Sequence, residues 1–329
     1  MAPLKVLVTG ASGMLGGGVA LALAARGDDV TVLQRRPAGL GLREVLADVA
    51  DYAAVRTAAA GHDAVVHLAA KVNVVGPWSD YEHANIRGTI SVVDACRAEG
   101  VRRLVHVSSP SVAHVGTPLV GVGAEPADPR HARGHYARSK AVAERVALSA
   151  DDPRRTAVVA IRPHLVWGPG DTQLVSRVIE RARAGRLPVI GSGAALVDST
   201  YVTNAVDALV AAVDRCTEAH GQALVVSNGE PRPVAELVGS LCIAGGVPPP
   251  ARHVPAGAAR ALGATVEVGW AVLGRLGLEL GEPPLTRFLA EQLSTAHWFD
   301  QRRTRAVLRW TPAVSLSEGF AELARASGV

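Results

Sequence analysis

Residues 5–16 read Lys5-Val6-Leu7-Val8-Thr9-Gly10-Ala11-Ser12-Gly13-Met14-Leu15-Gly16, an apolar run that passes directly into a stretch rich in glycine. The run predicts a buried β-strand, and the residues from Val19 to Arg26 predict a helix after the glycines. A glycine pattern alone is weak evidence, but a strand before it and a helix after it are the context of a dinucleotide-binding loop. The stretch therefore predicts the first strand, turn and helix of a dinucleotide-binding protein.

Each glycine of this loop has its own steric role. Gly10 is expected at the sharp turn from strand to helix, Gly13 where the backbone approaches a pyrophosphate, and Gly16 where helix and strand pack closely. The amide groups at the start of the helix can then bind phosphate oxygens. We include Ser12 and Met14, which lie between these glycines, among the predicted cofactor-binding residues.

The second predicted strand ends in a neutral residue followed by two arginines, Gln34-Arg35-Arg36. A site specific for NAD places a carboxylate near this position, where it accepts hydrogen bonds from the adenosine 2′-hydroxyl. The guanidinium groups of Arg35 and Arg36 would instead form charge-assisted hydrogen bonds with a 2′-phosphate. We therefore expect NADP(H) to be preferred over NAD(H); the alternative is that both arginines are only solvated loop residues.

Short apolar runs alternate with Ala-rich helical patterns through the first half of the chain. Strands that are apolar throughout and joined by helical crossovers are typical of a doubly wound parallel sheet. We predict an α/β protein with a Rossmann-type core over residues 1–170. A smaller substrate lobe over residues 171–329 is expected, with some segments returning to the core. The predicted core strands are Lys5–Val8, Val30–Leu33, Ala64–Leu68, Leu104–Val107 and Val158–Ile161.

The composition limits the classes of partner. The formal net charge is only +4 and the arginines are scattered, so nucleic acid is not an expected partner. The N-terminal residues lack the basic and apolar parts of a signal peptide. Cys96, Cys216 and Cys242 are too few and too far apart for a disulfide framework or a zinc site. We expect a cytoplasmic protein with buried thiols and no bound metal.

An apolar stripe recurs at helical spacing in the predicted substrate lobe. Core packing explains it, and so does a wall of a hydrophobic substrate tunnel or a face that docks on a partner or a membrane surface. Glu267, Arg275 and Glu279 interrupt the stretch 261–280, which is therefore too polar for a transmembrane helix. The stripe comprises Leu262, Val266, Trp270, Leu273, Leu276 and Leu280.

Tyr136 and Lys140 lie four residues apart in His135-Tyr136-Ala137-Arg138-Ser139-Lys140. On a helix, residues i and i+4 share a face, so the ammonium group can stand beside the phenol. A neighbouring cation favours the phenolate and is expected to lower the pKa of the tyrosine towards neutral pH. Such pairs are common on helix surfaces, but together with the nucleotide loop this pair predicts a redox enzyme.

Several motifs, in this order along the chain, resemble those of the extended short-chain dehydrogenase/reductase family. The resemblance implies that Tyr136 donates a proton, that Lys140 lowers the pKa of Tyr136 and holds the nicotinamide ribose, and that Ser109 hydrogen-bonds to the substrate carbonyl. Beside the glycine loop and the Tyr136/Lys140 pair, the motifs are Asp48-Val49, His67-Leu68-Ala69-Ala70, Asn85-Ile86-Arg87-Gly88-Thr89 and Val107-Ser108-Ser109.

The same resemblance implies the remainder of the cofactor site and a mainly structural role for Asn85. Ser108, unlike Ser109, is expected to be a structural residue at a strand end. The implied cofactor contacts are Asp48 and Val49 at the adenine, Ala69 and Ala70 along the dinucleotide, and Pro163 and Leu165 beside the nicotinamide.

Within the family the chain resembles the 3β-hydroxysteroid dehydrogenase branch, and more narrowly the ketoreductases of bacterial long-chain olefin biosynthesis. That similarity implies NADPH-dependent reduction of the ketone of a long-chain 2-alkyl-3-oxoalkanoic acid to the 3-hydroxy acid. It also implies a hydrophobic β-keto acid as ligand, and it is compatible with a homodimer, with association with other enzymes of the pathway, and with a membrane-associated location. The segments that carry it are 161–171, 198–202, 109–112, 227–231, 281–293 and His297-Trp298.

Other activities would use the same catalytic set. A 3β-hydroxysteroid dehydrogenase has a similarly large apolar ligand, whereas a nucleotide-sugar epimerase needs basic and polar contacts that the apolar residues 257–293 do not suggest. A non-catalytic NADP-binding protein is disfavoured because the catalytic set is present. The group that binds the substrate carboxylate stays open: Arg138 and Arg162 are candidates with structural roles as the alternative, and His114 and His164 are placed where they could face the substrate.

Overall fold

The computed structural model describes residues 2–73, 76–114, 116–275 and 287–329. The strands are β1 (Lys5–Thr9), β2 (Asp29–Gln34), β3 (Arg43–Leu46), β4 (Ala64–His67), β5 (Arg103–Val107), β6 (Leu119–Val122), β7 (Ala157–Pro163), β8 (Val166–Trp167), β9 (Val189–Ile190), β10 (Leu196–Val197), β11 (Thr200–Tyr201), β12 (Ala223–Val226), β13 (Arg232–Pro233), β14 (His253–Val254) and β15 (His297–Phe299).

The helices include one π-helical segment, Glu82–Arg87, and one 3₁₀ turn, Pro110–Ala113. The α-helices are α1 (Met14–Ala25), α2 (Tyr52–Ala59), α3 (Trp78–Tyr81), α4 (Gly88–Glu99), α5 (Gly134–Ser149), α6 (Val175–Arg183), α7 (Val202–Asp214), α8 (Val234–Ala244), α9 (Ala256–Arg275), α10 (Arg287–Gln292), α11 (Arg302–Leu308) and α12 (Leu316–Ser327).

Seven parallel strands form the main sheet in the order β3-β2-β1-β4-β5-β7-β12. The chain first builds outward from β1 to β2 and β3, then returns to add β4 on the other side. In open α/β sheets, ligands bind at such a reversal, beyond the carboxyl ends of the strands. The predicted doubly wound parallel sheet is confirmed.

Helices cover both faces of this sheet. Helices α1 and α7 pack on one face, whereas α2, α4 and α5 pack on the other. The buried contacts come mostly from alanine, valine and leucine, in keeping with a chain that has only 4% aromatic residues. Small side chains let helices approach the sheet closely, so the carboxyl ends of the strands are held at fixed positions.

The second half of the chain adds smaller sheets and also returns to the core. Strands β13-β10-β15-β6 form a four-stranded sheet, and β12 with α7 joins the main body. A separate cluster around Trp167 and Tyr201 packs α6, α8 and α12 together. The domain boundary at residue 170 stays a prediction.

The apolar stripe on α9 is only partly within the described residues. Leu262 is 54% exposed, so core packing is wrong for this residue. Val266 and Trp270 are half-buried. The side chain of Leu273, together with Leu276 and Leu280, lies outside the described residues.

Two further expectations concern the thiols and the membrane. Cys96, Cys216 and Cys242 are free and buried, as predicted. Across the described part of the chain, every helix is too short or too polar to cross a bilayer.

Candidate active site

A cavity of about 1070 Å³ lies at the carboxyl ends of β1, β2, β4, β5 and β7. The structure brings all the predicted site residues to its wall. Their chemical roles stay predictions, but their convergence from distant parts of the sequence is a property of the fold. These residues are Gly10, Ser12, Gly13, Met14, Gly16, Arg35, Arg36, Asp48, Val49, Ala69, Ala70, Ser109, Tyr136, Lys140, Pro163 and Leu165.

The glycine loop has the geometry that a pyrophosphate needs. Gly10 has φ +80°, and a Cβ there would lie 2.7 Å from the backbone nitrogen of Ala69. A Cβ on Gly16 would collide with the carbonyl oxygen of Gly10. Gly13, by contrast, has only one neighbour within 4 Å of an added Cβ, and it caps α1 without a side-chain hydrogen bond. The amides of the first turn thus face an open space that fits a phosphate pair.

At the adenosine end, Gln34 is buried and donates a hydrogen bond to Glu44. The same carboxylate oxygen accepts a hydrogen bond from the backbone nitrogen of Ala38 at 2.7 Å. Glu44 therefore fixes the loop after β2, while Arg35 and Arg36 are exposed on the cavity rim. This arrangement leaves two guanidinium groups available to a ligand at the position of the adenosine ribose.

Ser109 caps the 3₁₀ turn that follows β5. Its Oγ accepts hydrogen bonds from the backbone nitrogen of Ser111 at 3.3 Å and from Ser111 Oγ at 3.0 Å. Ser109 thereby keeps its own proton for a further partner, and its side chain lies near enough to Tyr136 to oppose the rise in the pKa of that phenol. The neighbouring Ser108 is buried, and its Oγ has no hydrogen-bond partner in the described structure.

The pKa of Tyr136 differs from the sequence expectation. Burial in the cavity raises the pKa of this phenol, and the hydrogen bond with Ser109 opposes the rise. The predicted lowering of this pKa by Lys140 is therefore wrong, because desolvation of the phenol is the largest influence. The ammonium of Lys140 instead donates to the carbonyl oxygen of Val107 at 2.6 Å. A phenol that stays protonated at neutral pH is suited to donate a proton.

Lys140 is buried one helical turn from Glu144 on α5. Burial lowers the pKa of Lys140 to about 8, and the Glu144 carboxylate opposes the fall. Glu144 in turn forms two hydrogen bonds with the guanidinium of Arg162, at 2.8 Å and 2.5 Å. Arg162 also donates to the carbonyl oxygen of Glu125. This buried ion pair joins β7 to α5, the helix that also carries Tyr136 and Lys140.

A family model described as the NAD dependent epimerase/dehydratase family matches residues 6–227. The 2-alkyl-3-oxoalkanoate reductase of Stenotrophomonas maltophilia is 42% identical over 98% of this chain and 99% of its own length. The chain belongs to the epimerase/dehydratase family. This confirms the resemblance to extended short-chain dehydrogenases/reductases, and the protein is an NAD(P)-dependent oxidoreductase whose relatives indicate a ketoreductase.

Two further relatives of this epimerase/dehydratase chain cover most of its length. The 2-alkyl-3-oxoalkanoate reductase of Shewanella oneidensis is 35% identical over 96% of this chain and 84% of its own. A solved structure, MoeE5 in complex with UDP-glucose and NAD, is 26% identical with a TM-score of 0.75 over 98% of both chains. The similarity to that NAD complex includes the strands and helices that form the cavity.

Two details of the epimerase/dehydratase site bear on earlier expectations. Asn85 binds the backbone nitrogen and oxygen of Lys71 and the hydroxyl of Ser139, which is a structural role. Leu165 adopts φ +41°, a conformation that non-glycine residues rarely accept. Strain of this kind persists where the surroundings hold a residue in place, here between β7 and β8 at the cavity wall.

The residues that form the end of the cavity away from the glycine loop were not predicted as a group from the sequence. Its wall includes Leu237, Val238 and Leu241 of α8, with His297 and Phe299 of β15. The apolar composition of α8 was a usable signal. The position of β15 could not be predicted from the sequence around it, because it depends on the pairing of β15 with the distant strands β10 and β6.

The ionisation of Lys140 predicts a pH dependence for ketone reduction. If the ammonium form holds the nicotinamide ribose, activity requires the protonated lysine and is lost as the pH rises through its pKa of about 8. We expect kcat/KM for the ketone to be level near pH 7 and to fall about tenfold per unit well above that pKa. A rate profile in constant-ionic-strength buffers tests this; a level rate up to pH 10 would contradict it.

Proposed function

We propose that the protein reduces the ketone of a long-chain 2-alkyl-3-oxoalkanoic acid to the 3-hydroxy acid with NADPH. One observation carries the proposal: the cavity that gathers the glycine loop, Ser109, Tyr136 and Lys140 continues into a mostly apolar section between α8 and β15. A ligand with two alkyl chains and one reactive carbonyl matches this division into polar and apolar parts. The two full-length reductase relatives support the same substrate class.

The chemistry follows from the charge that develops on the carbonyl oxygen. Bound NADPH would supply a hydride to the carbonyl carbon. Tyr136 then transfers its phenolic proton to the oxygen as the C–O double bond becomes a single bond, and the phenol is later reprotonated from solvent. Ser109, whose oxygen already accepts from Ser111, donates its own proton as a hydrogen bond to the same oxygen. Donors set in place before the reaction stabilise that developing charge.

The apolar section of the cavity favours this substrate over a sugar nucleotide. Among the described lining residues, the lysine and arginine side chains are Arg35, Arg36 and Lys140, all of which belong to the cofactor end or the catalytic centre. A second nucleotide diphosphate in the substrate section would face no lysine or arginine there. The leucines and valine of α8 instead favour alkyl chains, whose burial from water is itself stabilising.

The preference for NADPH rests on the rim at the end of β2. Arg35 and Arg36 are exposed, while Glu44, the acid nearest to Gln34, is occupied by hydrogen bonds to Gln34 and to the backbone of Ala38. A 2′-phosphate would meet two positive charges without a competing carboxylate from this residue. Charge-assisted, bidentate contacts with arginine are the usual way of holding such a group.

The test compares three substrate classes with the purified protein and both cofactors. We expect NADP⁺-dependent oxidation of 2-hexyl-3-hydroxydecanoate, and little turnover of a 3β-hydroxysterol or UDP-glucose. At equal concentration NADPH should be preferred to NADH, and Arg35→Ser with Arg36→Ser should lower kcat/KM for NADPH by roughly 10- to 100-fold while changing that for NADH much less. A preference for the sterol, for the sugar nucleotide or for NADH would overturn the corresponding part of the proposal.

The proposed pathway has consequences for location and partners. Its two-chain acids are poorly soluble in water, so a cytoplasmic reductase would gain from association with the enzymes before and after it, or with a membrane surface. The exposed Leu262 on α9 is compatible with such a contact. A homodimer is the simplest assembly that this proposal includes, and analytical ultracentrifugation of the purified protein tests it.

A further inference from the structure

The substrate section of the cavity is lined by histidines where a carboxylate-binding enzyme often has arginine. His114, His164 and His297 all contribute to its wall. The two arginines considered from the sequence are used elsewhere in the described structure. Arg162 is buried in its ion pair with Glu144, and Arg138 lies over the ring of Trp78, 5.0 Å from its centre.

Hydrogen bonds fix the protonation pattern of two of these rings. His297 Nε2 lies 2.8 Å from the carbonyl oxygen of Gln292, which can only accept, so Nε2 carries the proton. In neutral His297 the Nδ1 atom is then an acceptor. His164 Nε2 lies 2.8 Å from that atom and must be the donor. The chain of hydrogen bonds therefore runs from His164 through His297 to Gln292.

This pattern leaves one nitrogen with unused capacity. The neutral His164 ring has its only proton on Nε2, so Nδ1 is a lone-pair acceptor. Within the described parts of the chain, no hydrogen-bond partner of Nδ1 is found. The ring itself is held firmly: it meets His297 edge to face at 4.9 Å and Phe299 at 5.0 Å between centres. A fixed imidazole with an open nitrogen is thus presented at the cavity wall.

We propose that His164, positioned by His297, binds the carboxyl group of the substrate and that binding takes up one proton. The inference rests on the proposed function. The proton that is taken up lies between Nδ1 of His164 and a carboxyl oxygen of the substrate. It can be assigned to the imidazole or to the carboxylate, and the number of protons bound is the same in both cases. The site would therefore select acids over the corresponding esters.

The electrostatics around His164 agree with uptake of a proton on binding. Burial lowers the pKa of His164 well below its ordinary value, and His297 and His114 lower it further, so the ring is neutral near pH 7. A carboxylate would supply the missing counter-charge. Three carboxylates in this part of the described chain already have partners: Glu291 pairs with Arg133, Asp198 Oδ2 accepts from Ser227 Oγ and the Phe299 nitrogen, and Asp171 accepts from the backbone nitrogens of Leu174 and Val175.

The test compares 2-hexyl-3-hydroxydecanoate with its methyl ester in NADP⁺-dependent oxidation. For the wild type we expect a clear preference for the acid that weakens as pH rises, since the required proton becomes scarcer. His164→Ala should lower kcat/KM for the acid by roughly 10- to 100-fold, mainly through KM, and change that for the ester by less than about threefold. His62→Ala, at the amino-terminal edge of the sheet, is the matched control and should keep the acid preference.

Calorimetry on the wild-type NADP⁺ complex provides a second measurement that needs no variant. Titration with the acid in buffers of different ionisation enthalpy should give an uptake of about one proton, and the ester should give none. If the acid is oxidised but shows no preference over the ester, no proton uptake, or an unchanged preference in a folded His164→Ala, the inference is overturned and the proposed function stands. If neither compound is oxidised or bound, the proposed function falls and the inference with it.

Discussion

Tyr136→Phe is expected to lower kcat for ketone reduction at least about a hundredfold while leaving NADPH binding nearly unchanged. The substitution removes only the hydroxyl of a residue that lines the cavity together with Ser109. The ring that remains still fills the same space. A loss in kcat rather than in cofactor affinity is the signature of a missing proton donor, and single-turnover rates together with fluorescence titration of NADPH measure the two separately.

A matched control for this change is Tyr52→Phe. Tyr52 begins α2 and is 41% exposed, and it does not contribute to the cavity wall. It should retain wild-type turnover. Unchanged turnover in Tyr136→Phe would refute the assignment of the proton donor, and an equal loss of NADPH binding would indicate that the hydroxyl mainly holds the cofactor.

Glu144→Ala is expected to be the most destabilising single change among those considered, at about 3–5 kcal/mol in the free energy of unfolding. Both members of the Glu144–Arg162 pair are almost fully buried, with exposed side-chain fractions of 2% and 1%. Removing the carboxylate leaves the guanidinium charge of Arg162 in the interior with only the carbonyl of Glu125 as a described partner. Urea unfolding followed by circular dichroism measures the effect.

The comparison for this prediction is Glu99→Ala, which breaks an ion pair with the exposed Arg56. Surface pairs contribute little because water screens them, so the midpoint of unfolding should move only slightly.

Glu144→Ala also removes the carboxylate that opposes the fall in the pKa of Lys140. In any folded fraction, the pH at which ketone reduction declines should therefore move below its wild-type value. If Glu144→Ala is as stable as the wild type, another group compensates the buried charge of Arg162, and the prediction is wrong.

The nucleotide half of the site could be predicted from the sequence because its signals are local. The turn at Gly10, the close approach at Gly16 and the helix after them depend on neighbours within one strand–helix unit, and the structure has the geometry expected for each. The spacing of Tyr136 and Lys140 likewise follows from one helix, α5. Motif order then sufficed to name the family, which the comparison with family models confirms.

The pKa shifts of Tyr136 and Lys140 could not be predicted from the sequence in the same way. The sequence predicted that Lys140 would lower the pKa of Tyr136, but burial of the phenol raises that pKa and only Ser109 opposes the rise. Lys140 donates instead to the carbonyl oxygen of Val107 on β5. Desolvation is a property of the packed molecule, and no spacing along one helix reveals it. The structural roles considered as the alternative for Arg138 and Arg162 also depend on packing, since their guanidinium groups contact Trp78 and Glu144.

The sequence by itself determined the class of fold, the position of the dinucleotide loop and the identity of the residues proposed for proton transfer, because glycine geometry and helical periodicity act over a few residues. Only the tertiary structure decided what closes the far end of the cavity. His164 and His297 are separated by 133 residues, yet their rings are hydrogen-bonded. The pairing of β15 with β10 and β6 brings His297 there, and such long-range strand pairing is set by the packing of the whole chain.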